Sequence, residues 1–423
     1  MLEKCRRDDT CRVCGADDWI EVISFGSLPL ANGFVDPADA DEAQDAFPLD
    51  VIVCRRCRLM TLRHVVDPET LFKHYVYVSS DSDQIREHMR HIVGLATRRA
   101  ALVPDDLVVE MGSNIGTQLA MFEAAGMRVA GVDPAANLAE IANERGIATD
   151  PDFFGPGPAS RITEGQGRAK AVIGRQCFAH IDDVHRILDG VDVVLDDDGV
   201  LIIEVPYLLN LLDENQFDTI YHEHLSYFSL HTLSHLFGAH GLRVIDVERV
   251  AVHGGSIAVV AARETAARTP QPSVAALLAL EEARGLLTEA PYRAFAERVT
   301  RVTEAVRTLV HGLVADGKRV AGYGAPSKGT QLLMACELTA QDITVCGDTT
   351  SLKHGKLLPG THIPVLPPEE VAATEPDYYL LLAWNYTEEV VRKEHRFLAA
   401  GGKFIVPVPE PRIISVQSAK ELV

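Results

Sequence analysis

No basic stripe runs along this 423-residue chain. Lys and Arg number 40 against 60 Asp and Glu, a formal net charge of −20. A nucleic-acid binder needs a basic face to neutralise phosphates, so a zinc-ribbon nucleic-acid protein is disfavoured. The acidic balance does not bar anionic small ligands, because backbone N–H groups and a local cation can hold a phosphate. Also missing is any apolar run approaching the roughly 18 residues that span a bilayer. The charged opening MLEKCRRDDT has no apolar h-region, so no membrane partner and a cytoplasmic location are expected. There is no internal repeat and no low-complexity stretch. Disulfides suit a long cytosolic chain poorly, so the clustering of some of its eight cysteines suggests a metal first.

What is present divides into three regions, read as 1–78, 79–268 and 269–423. The first carries clustered cysteines and Pro/Gly turns. The second alternates short apolar strands with helical stretches, the pattern of a parallel α/β sheet. Six strands are expected there, at 107–111, 128–132, 170–174, 199–205, 242–250 and 255–262. The last two are joined through His253-Gly254-Gly255-Ser256, a candidate hairpin turn. Residues 275–316 read as one helical linker. A second, smaller α/β unit follows, with strands at 318–323, 343–346, 379–383 and 403–406 and a helix at 330–337.

Cys11-x-x-Cys14 and Cys54-x-x-Cys57 form two knuckles. Each C-x-x-C turn aims two thiolates at one ion, and two knuckles complete a tetrahedral Cys₄ zinc site. Such a site is coordinatively closed and is read as structural. A redox dithiol would need the βαβ context of a thioredoxin-like motif, which neither knuckle has.

Val108-Val109-Glu110-Met111-Gly112-Ser113-Asn114-Ile115-Gly116-Thr117 reads as strand, tight loop and helix start, with glycines that let backbone approach a ligand. The G-x-x-x-G spacing favours S-adenosylmethionine (SAM) over a dinucleotide. The next strand ends in Gly131-Val132-Asp133, where an acid can accept hydrogen bonds from ribose hydroxyls. Glu110, Gly112, Asn114, Gly116 and Asp133 are therefore the cofactor candidates, on a Rossmann-like class I SAM methyltransferase core.

After the strand ending in Glu204-Val205-Pro206-Tyr207 comes Asp218-Thr219-Ile220-Tyr221-His222-Glu223-His224-Leu225-Ser226-Tyr227. It lies beyond a strand's carboxyl end, where α/β sites sit. Histidine suits proton abstraction near neutral pH, a neighbouring carboxylate can tune it, and tyrosine can donate to a developing enolate oxygen. A metal reading of His-Glu-His lacks a second ligand cluster. His180, in Cys177-Phe178-Ala179-His180-Ile181, is open between a structural residue and a substrate contact. In the smaller unit, Gly322-Tyr323-Gly324-Ala325-Pro326-Ser327-Lys328-Gly329 could cradle a pyrophosphate with Lys328 as counter-charge. It lacks the full Walker pattern, which disfavours an NTPase.

With these residues the chain resembles the bacterial sugar C-methyltransferases that act on dTDP-linked 4-keto-deoxysugars. The resemblance covers nearly the whole chain. It rests on the cysteine knuckles, Tyr75-Val76-Tyr77-Val78-Ser79-Ser80, the GSN-x-G-T loop, FAHI, EVPY, the block NQFDTIYHEHLSYFS over 215–229, HGGS, and the GYGAPSKG loop. It implies an N-terminal zinc-binding domain, the SAM core and a C-terminal Rossmann-like α/β domain that helps hold the sugar nucleotide. It implies His224 as general base, with Tyr221, Glu223 and His180 in the catalytic group. Tyr75, Tyr77, Ser79, His222 and Lys328 are then expected on the substrate. The expected reaction is methylation of the carbon on either side of the C-4 ketone, C-3 or C-5, in antibiotic-type deoxysugar decoration. Sugar O- or N-methylation and non-catalytic SAM or sugar-nucleotide binding are the alternatives. A monomer is expected, since three domains can enclose a site unaided. The chain departs from the family pattern at Ile115, where Asp is common. It departs also at Gln176-Cys177, where Asn-Val is common, and at Cys346-Gly347-Asp348-Thr349-Thr350, where Val-Asp-Arg-Asn-Pro is common.

Overall fold

The computed structural model describes residues 4–72 and 83–419. The N-terminal lobe is built on β1 (Trp19–Pro29), β2 (Ala46–Cys54) and β3 (Met60–Leu62). These pair antiparallel, and the short strand Ser226–Tyr227, from far along the chain, adds itself to β3. The lobe's sheet is thus completed by the segment that follows Tyr221-His222-Glu223-His224.

The central unit begins with α1 (Asp83–Ala100), β4 (Leu107–Met111), α2 (Thr117–Ala124), β5 (Arg128–Val132), α3 (Ala136–Glu144), β6 (Thr149–Asp150) and α4 (Pro156–Gln166). It continues with β7 (Ala169–Arg175), α5 (Val184–Val194), β8 (Leu195–Pro206), α6 (Leu230–Gly238), β9 (Leu242–Val250) and β10 (Ser256–Arg263). The sheet order is β9-β10-β8-β7-β4-β5-β6, parallel except for β10, which runs antiparallel to both its neighbours. Every residue of β4 is buried, as expected of a parallel strand covered on both faces. Val108 joins α1 and α2 on one face, while Leu107 and Val109 join the core on the other. Six strands were expected and seven are found. The extra one, β6, has two residues at the sheet edge, too short to leave a period in the sequence.

The expected single helix over 275–316 is two, α7 (Pro272–Ala283) and α8 (Ala290–Ala315). Gly285, with φ +75°, takes the left-handed conformation that ends a helix, and Pro291 opens the next. Along α8 the buried residues Tyr292, Phe295, Val299, Val302, Val306 and Val310 recur at three- and four-residue intervals. This is the stripe of a helix with one face packed.

The C-terminal unit contains β11 (Val320–Tyr323), α9 (Ser327–Ala335), β12 (Cys346–Gly347), β13 (Val365–Leu366), β14 (Tyr378–Leu381), β15 (Lys403–Val406) and β16 (Arg412–Ile414). Its order is β13-β12-β11-β14-β15-β16, with β16 antiparallel. The helix expected at 330–337 starts three residues earlier, directly after Pro326. Two short edge strands, β13 and β16, were not foreseen. No described helix is long and apolar enough to cross a membrane.

Candidate active site

Cys11, Cys14, Cys54 and Cys57 offer sulfurs that all lie within 4.8 Å of one another. The Cys11–Cys57 and Cys14–Cys54 sulfurs are each 3.5 Å apart. Four thiolates about 2.3 Å from one zinc ion would sit about 3.8 Å apart, so the donor set and spacing fit tetrahedral zinc. All four ligands are cysteines, which leaves no position for a substrate.

At the carboxyl ends of β4, β5 and β7 lies a cavity of about 610 Å³. Glu110, Gly112, Asn114 and Asp133 line it, together with Asp152, Phe153, Gln176, Cys177, His180 and His253. Gly112 has φ +64°, and a Cβ there would stand 2.9 Å from the Cys177 Cβ, so only glycine fits the turn. Asp133 accepts from the backbone N–H of Asn114 (2.7 Å) and of Ala135 (2.9 Å), which fixes the loop against the end of β5. Gly116 does not line the cavity. It is the left-handed N-cap of α2, and a Cβ there would stand 2.9 Å from Ile147. Ile115, the departure from the family loop, turns away and packs on Ala135 and Leu138.

The cavity wall carries buried polar atoms with no hydrogen-bond partner: Glu110 Oε2, Ser113 Oγ and both amide atoms of Gln118. Burial, with the nearby Asp133 charge adding to it and Arg175 opposing, pushes the Glu110 carboxyl up to about 8. A cationic ligand would pull it back toward ionisation. Orphaned acceptors, a glycine turn and an acid at the end of β5 together fit SAM, which carries an ammonium, a sulfonium and a ribose diol.

The segment after β8 sets the second half of the site. His224 Nδ1 is 2.7 Å from the Thr219 carbonyl oxygen. A carbonyl only accepts, so Nδ1 carries the proton and Nε2 carries the lone pair. The Tyr221 hydroxyl, 2.9 Å from Nε2, is then the donor. The His180 ring, on the cavity wall, meets the His224 ring edge-on at 4.8 Å between centroids. Burial, helped by His180, pushes His224 down to about 3, and burial pushes His180 down to about 4. Both imidazoles are neutral at physiological pH. Glu223 is buried and its carboxyl is pushed up to about 7, with the Asn32 bond opposing.

His222, expected on the substrate, is buried against the N-terminal lobe, with Nε2 3.0 Å from the Phe47 carbonyl oxygen and its ring edge-on to Phe47. The two-residue step from His222 to His224 turns these side chains in different directions. Lys328 lies where α9 begins, its Nζ 4.2 Å from the Trp384 ring centroid and 4.0 Å from Asp218 Oδ2. Burial pushes its ammonium down, with the Asp218 charge opposing. Trp384, Asn385 and Tyr386 share with His253 the wall of a smaller cavity of about 160 Å³. Tyr75, Tyr77 and Ser79 lie outside the described residues.

Sequence reasoning missed several residues. Cys177, given no role by the sequence, faces the turn at Gly112. Gln176 donates to Glu204 Oε1 (2.9 Å) and Ser256 Oγ (3.0 Å), and its φ of +57° carries no sequence signal. His253 was signalled by the HGGS turn but given no role.

Residues 251–409 match the family model described as a C-methyltransferase C-terminal domain, 11–72 that of a zinc binding domain, and 85–247 that of a methyltransferase domain. C-methyltransferase NovU of Streptomyces niveus is 55% identical over 418 residues, covering 99% of this chain and 100% of that protein. Among solved structures, the PH0226 protein of Pyrococcus horikoshii OT3 aligns with 46% of this chain and 98% of its own, at 13% identity and a TM-score of 0.35. A Burkholderia thailandensis 1,6-didemethyltoxoflavin-N1-methyltransferase aligns with 45% and 82%, at 20% identity and a TM-score of 0.31. Scores that low carry no argument about function. With a full-length relative so similar and all three units matched, the chain belongs to the C-methyltransferase family, with a zinc-binding N-terminal domain and a SAM-binding core.

Proposed function

We propose that this C-methyltransferase methylates the carbon beside the C-4 ketone of a dTDP-linked deoxysugar, at C-3 or C-5, with His224 as the general base. The observation that carries this reading is the pair of bonds at the two ring nitrogens of His224, which implies its tautomer. Its Nδ1 proton is committed to Thr219, so a basic Nε2 stands beside a phenol donor. Carbon acidity next to a ketone demands that pair: an acceptor for the proton and a donor for the enolate oxygen.

Bound in the larger cavity, SAM supplies an electrophilic methyl group. Glu110, Asn114 and Asp133 would hold it. His224 Nε2 takes the proton from the substrate carbon, and the electron pair of the broken C–H bond moves onto the ketone oxygen. Tyr221, which donates to Nε2 in the protein alone, turns its hydroxyl to that oxygen. An imidazolium at so buried a position is costly, and the enolate formed beside it offsets the charge. His180 packs the base from the cofactor side. Lys328, beside Asp218 and Trp384, is the cation for the nucleotide's phosphates.

The test is product mass spectrometry with SAM and a panel of dTDP-4-keto-deoxysugars in heavy water. Methylated product, with deuterium entering the same carbon when SAM is omitted, is expected. His224→Gln should lower both transfer and exchange by about 10²–10⁴-fold. A His224→Gln enzyme that keeps both would remove His224 from the role. Product from the wild type bearing its methyl on oxygen or nitrogen would overturn the reading.

A further inference from the structure

Two neighbouring side chains of the Tyr221-His222-Glu223-His224 segment are held by the zinc lobe. His222 is bonded to the Phe47 carbonyl, as described. Glu223 Oε1 lies 2.6 Å from Asn32 Nδ2. Asn32 sits in the loop after β1, where Gly33 N–H donates to the Leu30 carbonyl at 2.9 Å and Phe34 N–H donates to the carbonyl of Asn32 itself at 3.0 Å. Its other amide atom, Oδ1, lies 2.7 Å from Ser327 Oγ, at the first turn of α9.

These bonds run in one direction. The amide NH₂ faces Glu223 and the amide oxygen faces Ser327, the arrangement in which an ionised Glu223 carboxylate accepts. An amide oxygen only accepts, so the Ser327 hydroxyl donates. One side chain thus links the C-terminal unit, the zinc lobe and the catalytic segment in a chain of polarised bonds. The bond ends on a buried side chain immediately before His224, so any play in Glu223 is passed to the backbone that aims Nε2.

The geometry points to Asn32 as a positioning residue: by donating to Glu223 it holds the His224 segment in register with the cofactor cavity, and Ser327 orients it. This rests on the reading of His224 as the base acting on a sugar carbon. The zinc lobe then helps to aim the base, through one amide.

Asn32→Ala should lower kcat by roughly ten- to hundred-fold, the scale of a small misplacement of a reacting group. Zinc content and SAM affinity should be unchanged. On a Glu223→Ala background the same change should cost nothing further, because the group it acts through is gone. Asn32→Asp separates donor from shape. It keeps the volume and the Ser327 bond but presents an acceptor to Glu223. Relative to wild type at each pH, it should be impaired where both carboxyls are ionised, and should recover on acidification as one shared proton restores the bond. Should Asn32→Ala lose its zinc, the Asn32→Asp profile decides.

Asn32→Ala with wild-type kcat, additive losses in the double variant, or Asn32→Asp matching wild type at every pH would each overturn the inference. Wild-type protein that methylates no sugar in the panel would overturn the sugar reading, and this inference with it. Wild-type turnover alongside unaffected Asn32 variants would overturn the positioning role alone.

Discussion

At the scale of single residues, the site is a set of buried groups held away from their ordinary ionisation, and they pull stability in opposite directions. His224 and His180 are pushed from 6.5 to about 3 and about 4. Between those values and 6.5 the unfolded chain binds more protons than the folded one, so acid destabilises. Glu110 and Glu223 are pushed from 4.5 to about 8 and about 7. Between 4.5 and those values the folded chain binds more, so alkali destabilises. The two pairs oppose each other between 4.5 and 6.5. Their combined contribution should therefore be level there, fall as pH rises from 6.5 toward 8, and fall as pH drops below 4.5. Denaturant titrations across this range, on wild type and on a Glu110→Gln variant, would check it. The variant should lose most of the alkaline slope; an unchanged slope would remove Glu110 as its source.

At the scale of elements, the zinc knuckles and the catalytic segment are coupled through a sheet. β2 ends in Cys54, β3 follows the second knuckle, and Ser226–Tyr227 pairs with β3 directly. Cys54→Ser should abolish stoichiometric zinc. It should also depress methyl transfer strongly while leaving SAM affinity within about twofold, because the N-terminal lobe gives the cofactor cavity only Asp67 and Pro68, away from the knuckles. Metal analysis with calorimetric SAM titration separates the two effects, and equal loss of both would mean the lobe supports the whole core. The elements themselves were largely legible. Strands β4, β5, β7 and β8 announce themselves as short apolar runs, and the Gly112 turn and Asp133 carry spacing that chemistry demands. The edge strands β6, β13 and β16 were not legible, since two or three residues make no period. Nor were the side-chain directions within Tyr221-His222-Glu223-His224. Spacing cannot say that His222 turns to Phe47 while His224 turns to His180, because that choice belongs to a lobe more than 150 residues upstream. Asn32 left no signal for the same reason: an isolated asparagine after a strand reads as a turn.

At the scale of the whole molecule, the first and last thirds of the chain meet behind the catalytic segment. Val35 and Leu357 exchange backbone hydrogen bonds of 3.0 and 2.8 Å, Gly360 N–H donates to Gln44, and the Lys353 ammonium lies 5.7 Å from the centre of the Phe34 ring. On refolding from denaturant, zinc coordination uses residues within one lobe and should be complete before methyl transfer returns. A thiol-reactive probe and an activity time course would measure the interval. Simultaneous recovery would mean that the lobe does not fold ahead of its partners.

The bridge between Val35 and Leu357 also sets a clock. The segment that carries Val35 leaves the ribosome 322 residues before its partner (357 − 35). At about 5–20 residues per second the wait is roughly a quarter of a minute to a minute. Throughout it, Phe34 and the Asn32 amide lack the partners that β11, α9 and the loops around them later supply. A nascent chain of this enzyme therefore carries an unfinished seam for most of its synthesis, and the residues along that seam are where a stalled or truncated copy would be recognised as incomplete.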